Sequence, residues 1–199
     1  GRESAITSLV ATLEGVGRCV TLTGLGGVGK TRLAIATAHA LVARGWTVHY
    51  ADVASAHGTT ELALALAEAL EVEPPVSRRA SSPLGNVGAA VARRALDAEL
   101  LVIDNFEHLL TPPAEVVLQA LAAFMRSAPK LRLLVTSRVP LELTEEMVVP
   151  VEPIGSGELD SPAVQLLSER AAHVPSSPAW RQDGAALQRM DALERIDAA

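Results

Sequence analysis

A chain of 199 residues that is 49% hydrophobic and carries a formal charge of −6 is long enough for one α/β domain with a full core and the start of a second unit. Its apolar runs are far shorter than the roughly 20 residues of a membrane span, and an acidic balance with 3% aromatic residues excludes a basic stripe or a stacking platform for nucleic acid. A single cysteine, Cys19, excludes an internal disulfide framework, and no secretory signal pattern opens the chain, so a reducing, cytoplasmic location with no membrane partner is expected.

In chain order, Cys19–Thr23 is a β-rich run that stops at Gly24, where a glycine-dense loop leads into an Ala/Leu-rich helix over 31–43, closed by Gly45. A second strand is predicted over 46–53 and a helix over 59–70, stopped by Glu73-Pro74-Pro75. The composition of 76–86 favours a mobile surface loop, with a helix following over 87–97. The apolar run 100–103 ending in Asp104 suits a strand buried on both faces of a parallel sheet. A helix follows Pro112-Pro113 through Met125, and strands are predicted over 131–136 and 147–151. Alternating strands and helices select an α/β three-layer sandwich around a mainly parallel five-stranded sheet. After Gly155–Gly157 only helical patterns remain, over 161–172 and 184–198. The expected domains are therefore 1–153 and the beginning of a helical lid subdomain over 154–199. Gly1 and the helix-like ending Asp197-Ala198-Ala199 read as a piece of a longer chain.

Three motifs carry chemistry. Gly24-Leu25-Gly26-Gly27-Val28-Gly29-Lys30-Thr31 fits G-x-x-x-x-G-K-[ST] between a predicted strand and a predicted helix, the context a phosphate loop requires. Glycines let successive N–H groups face a phosphate, and the helix N-terminus adds its dipole. Lys30 is expected to reach β- and γ-phosphate oxygens and the Thr31 hydroxyl to ligate Mg2+, so ATP or ADP with magnesium is the expected ligand. Leu100-Leu101-Val102-Ile103-Asp104 ends in an acid suited to support that ion. Asn105 follows, where many hydrolytic P-loop enzymes carry a second carboxylate, and an amide cannot act as a general base. Glu107 is open to two readings, a water-polarising group or a solvated acid. The third motif, Leu133-Leu134-Val135-Thr136-Ser137-Arg138, brings two hydroxyls and a guanidinium to the sheet edge where ligands bind. Arg138 suits a terminal phosphate or, alternatively, an interdomain salt bridge.

These motifs, with Gly1-Arg2-Glu3, Arg32-Leu33-Ala34 after the phosphate loop, Asn105-Phe106-Glu107-His108-Leu109, Val139-Pro140-Leu141 and Ser161-Pro162-Ala163-Val164-Gln165-Leu166-Leu167, resemble the nucleotide-binding domain of bacterial STAND-class signalling ATPases. That is the NB-ARC-like domain of large LuxR-type and SARP-type transcriptional regulators, and the resemblance covers about the first 175 residues. It implies that Arg2 contacts adenine or ribose, that the loop residues 24–29 with Lys30, Thr31 and Arg32 bind the nucleotide, that Asp104 supports the metal and that Arg138 senses the nucleotide state. The implied activity is a slowly hydrolysing ATP/ADP switch, with DNA contact only through other domains of the parent chain and nucleotide-dependent self-association open. A P-loop kinase or other turnover enzyme, and an assembly module that never hydrolyses, stay open as alternatives.

Overall fold

The computed structural model describes residues 2–73, 83–94, 98–111 and 113–153, and Arg2–Glu152 form one compact unit. The order along the chain is α1 (Glu3–Glu14), β1 (Cys19–Thr23), α2 (Lys30–Val42), β2 (Thr47–Asp52), α3 (Thr59–Ala69), α4 (Pro83–Ala92), β3 (Glu99–Asp104), a 3-10 turn (Phe106–Leu110), α5 (Ala114–Ser127), β4 (Leu131–Ser137) and β5 (Glu146–Pro150). The five strands form one sheet in the order β2-β3-β4-β1-β5. Every neighbouring pair is parallel.

The apolar run of β3 has the consequence expected of a strand covered on both sides. Leu100 and Val102 join Val20, Leu22 and Leu134 in a core closed by Leu9 and Leu13 of α1 and Leu33 and Leu41 of α2. Leu101 and Ile103 join Cys19, Leu133 and Val135 in a second core closed by Leu62 and Leu66 of α3, Leu84 and Val87 of α4, and Leu121 and Phe124 of α5. A three-layer α/β sandwich follows, because the two-residue period of the buried strands β1, β3 and β4 serves both layers at once. Buried in this way, the Cys19 thiol is pushed up to about 12 by desolvation and is an inert core residue.

The strands fall within one or two residues of their predicted bounds. The fourth helix does not. It begins at Pro83, inside the segment read as a loop, because proline is well suited to the first helical turn. From there Leu84, Val87, Gly88 and Val91 form one buried face at helical spacing. Gly88 lies so close to α5 that a methyl built on it would sit 2.7 Å from the Phe124 carbonyl oxygen, a packing role that outweighs the loop-like composition of Gly85-Asn86. The expected helices over 161–172 and 184–198 lie outside the described residues, as do 74–82 and 95–97.

Candidate functional site

The chain leaves β1 for β2, at the far edge, returns through β3 and β4, and reaches β5 on the other side of β1. This reversal opens a crevice at the C-terminal ends of the strands, the usual ligand position in an open α/β sheet. The loop 24–29 lies there. Gly24, Gly27 and Gly29 all have positive φ, at 149, 80 and 91°, and Gly29 is the N-cap of α2. The first bond of that helix runs from Leu33 N–H to Gly29 O at 3.0 Å. The N–H groups of residues 30–32 precede it and have no partner within the helix. Arg32 contributes one of these N–H groups, while its side chain is exposed. Lys30, 9% exposed, donates from Nζ to the carbonyl oxygens of Gly24 (2.7 Å) and Leu25 (2.9 Å), so its ammonium lies over the loop.

Asp104, 2% exposed, is held by three hydroxyls from three elements. Thr31 Oγ1 donates to its Oδ1 at 2.9 Å, Thr136 Oγ1 donates to the same oxygen, and the Tyr50 hydroxyl donates to Oδ2 at 2.8 Å. Burial, and then the hydrogen bond to the Asp104 carboxylate, push the Tyr50 hydroxyl above its ordinary range, which keeps it a donor. The Thr31–Asp104 pair offers hard oxygen ligands only, and among the described residues no cluster of three His, Cys, Asp or Glu side chains could cage a metal. One carboxylate with one hydroxyl fits Mg2+ held jointly with phosphate oxygens and water.

Asn105 adopts a left-handed conformation with φ 65° and caps the 3-10 turn. Its backbone N–H donates to Thr136 Oγ1 at 3.0 Å and its amide donates to Asp52 Oδ1 at 3.0 Å. That bond, then one from Ala54 N–H, holds the Asp52 carboxyl below its usual range. The turn carries Glu107 back toward β4, where its Oε1 accepts from Arg138 Nε at 3.2 Å. Glu107 is not a solvated acid: its side chain is 16% exposed, and its Oε2 is buried without a hydrogen-bond partner among the described residues. Among the described residues the ion-pair partner of Arg138 is Glu107, and its guanidinium runs beside the loop, 3.9 Å from where a methyl on Gly26 would stand.

Arg2 closes the other side. Its Nη2 donates to the carbonyl oxygens of Val28 (2.6 Å) and Glu152 (2.8 Å). Its Nη1 is buried without a partner among the described residues, 3.7 Å from where a methyl on Gly29 would stand. The sheet edge thus gathers the loop, Lys30, Thr31, Asp104 and Arg138 with Glu107, and Arg2 flanks Gly29. Sequence reasoning missed Tyr50 and Asp52. Each lies on β2, in register with Val102 and Asp104 of β3, and strand register has no local signature.

A family model described as an AAA domain matches residues 14–140. A Mycobacterium tuberculosis protein provisionally named HTH-type transcriptional regulator Rv0890c is 34% identical over 157 residues, 79% of this chain and 16% of the relative. Uncharacterized protein Rv0894 of the same species is 33% identical over 172 residues, 84% of this chain and 40% of the relative. The chain therefore spans less than half the length of either. Among solved structures, the Aeropyrum pernix ORC1 protein in complex with DNA superposes with a TM-score of 0.68 at 19% identity, over 98% of this chain and 55% of that one. AMPPCP-bound DnaA from Aquifex aeolicus gives 0.52 at 15% identity, over 95% and 55%. At such identities the likeness is one of fold. No helix among the described residues is long and apolar enough to cross a membrane. With the family model covering well over half of its length, from the end of α1 to beyond β4, the chain belongs to the AAA domain family of P-loop proteins.

Proposed function

We propose that this AAA domain is an ATP/ADP-binding switch of the STAND, NB-ARC-like kind within a larger regulator. The observation that carries the reading is the Glu107–Arg138 pair beside Gly26. A guanidinium bound to a carboxylate at the phosphate loop can exchange that partner for a γ-phosphate, which ADP lacks. Such an exchange gives ATP and ADP different affinities for two arrangements of the 3-10 turn and β4, and a difference of that kind is what a switch requires. Lys30 and the N–H groups of residues 29–32 hold the β- and γ-phosphates. Arg2 offers its Nη1, which has no partner among the described residues, to adenine or ribose. Thr31 and Asp104 hold Mg2+ together with the phosphates, and the ion when bound neutralises charge on the phosphate oxygens.

Hydrolysis is slow in this reading, below the roughly 1 per second at the low end of typical enzymes, because the amide of Asn105 is no base and is committed to Asp52. The relative named as an HTH-type regulator is about six times longer than the matched region, which supports assigning DNA contact, and any self-association that depends on nucleotide, to the parent chain.

Arg138→Ala tests the switch. ATP affinity is expected to fall about tenfold, the low end for a charge-assisted bond because the side chain is largely exposed. ADP affinity should stay within about twofold of wild type, since no bond to ADP is removed. Calorimetric titration of each nucleotide decides, and a parallel loss for both would remove the sensor role.

A further inference from the structure

Tyr50, the only tyrosine in the chain, sits on edge strand β2, in register with Val102 of β3. Two residues further along β3, on the same face, stands Asp104. The phenol spans that diagonal step and reaches Asp104 Oδ2 at 2.8 Å. Its ring lines a shallow groove between α2 and β2, otherwise walled by Ile35, Ala38, His39, Val42 and Val48, with Val102 beneath. A phenylalanine would suit that mainly apolar groove as well as a tyrosine. Although the residue is 45% exposed, its hydroxyl is turned onto the carboxylate rather than left to water.

We propose that Tyr50 is a positioning residue for Asp104, fixing the carboxylate in the orientation that supports magnesium at the bound nucleotide; this rests on the nucleotide reading above. Thr136 from β4 holds Oδ1 and Tyr50 from β2 holds Oδ2, so the strands on both sides of β3 set the carboxylate plane. Thr31 can donate its proton to Asp104 while its oxygen faces the ion. With the plane fixed, no reorientation is needed when the metal and its waters arrive. Without Tyr50, Oδ2 turns to solvent and part of the metal's contribution to nucleotide affinity is lost.

The test measures ATP affinity by calorimetry, with magnesium and with EDTA, in wild type, Tyr50→Phe, Asp104→Asn and the double variant. Tyr50→Phe keeps the ring in its groove. It is expected to reduce the magnesium-dependent gain in affinity about three- to tenfold and to leave affinity in EDTA unchanged. In the Asp104→Asn background the same substitution should have no further effect, because the residue acts through that carboxylate. Equal losses with and without magnesium, the same loss in both backgrounds, or a full magnesium gain in Tyr50→Phe would each overturn the positioning role. A wild type with no magnesium gain would overturn the metal assignment of Thr31 and Asp104 itself, and the inference with it.

Discussion

Lys30→Ala is expected to weaken ATP and ADP binding at least about a hundredfold, the loss of two or more charge-assisted bonds to phosphate oxygens. The fold should survive. The ammonium's present partners are the carbonyls of Gly24 and Leu25, and these belong to a loop whose Leu25 is 74% exposed, so water can replace the lost donor. A melting temperature within about 4 °C of wild type corresponds to a loss near 1 kcal/mol for a chain of this size. Binding that persists in the variant would remove the phosphate-loop assignment. A collapse in melting temperature would show that Lys30 serves the fold instead.

The second large effect falls on stability. Gly24 ends β1 with φ at 149°, and a methyl built on it would stand 2.6 Å from the Val151 carbonyl oxygen, next to the bond from Val151 N–H to Thr23 O that carries the sheet past β5. Backbone strain of about 1–3 kcal/mol and a steric clash of similar size combine, so Gly24→Ala should cost about 2–6 kcal/mol. Gly45→Ala is the matched control, because φ there is also positive, at 86°, and nothing lies within 4 Å of the added methyl. It should cost only about 1–2 kcal/mol. Denaturant unfolding of the two variants separates the contributions. Equal losses would mean that the contact with Val151 carries no cost and that the β1–β5 junction is looser than described.

How far the sequence announces this architecture differs from element to element. The central strands β3 and β4 are legible because continuous apolar runs such as Leu100–Ile103 satisfy two cores at once, the largely exposed edge strands β2 and β5 only from their place in the strand–helix alternation, and the phosphate loop because its glycines have one mechanical purpose. Strand order is not legible. Alternation of strands and helices implies parallel pairing, yet nothing local says that β4 inserts between β1 and β3, which is what brings Thr136 onto Asp104. Composition misplaced the start of α4, since Pro83 and Gly85 resemble turn residues until a buried face and the close approach of α5 are known. The 3-10 turn Phe106–Leu110 was also hidden, and with it the return of Glu107 to Arg138: a left-handed Asn105 bound to Asp52 depends on a strand more than 50 positions away. Motifs within one segment could be read, whereas contacts between segments required the register.

A switch of the proposed kind distinguishes ATP from ADP. Calorimetric titration of both nucleotides, with magnesium, into one preparation of the wild-type chain tests it most directly. One site per chain is expected for each, with affinities that differ by about tenfold, the share assigned to Arg138 and the γ-phosphate. Saturable binding with equal affinities, or no binding of either nucleotide, would contradict it.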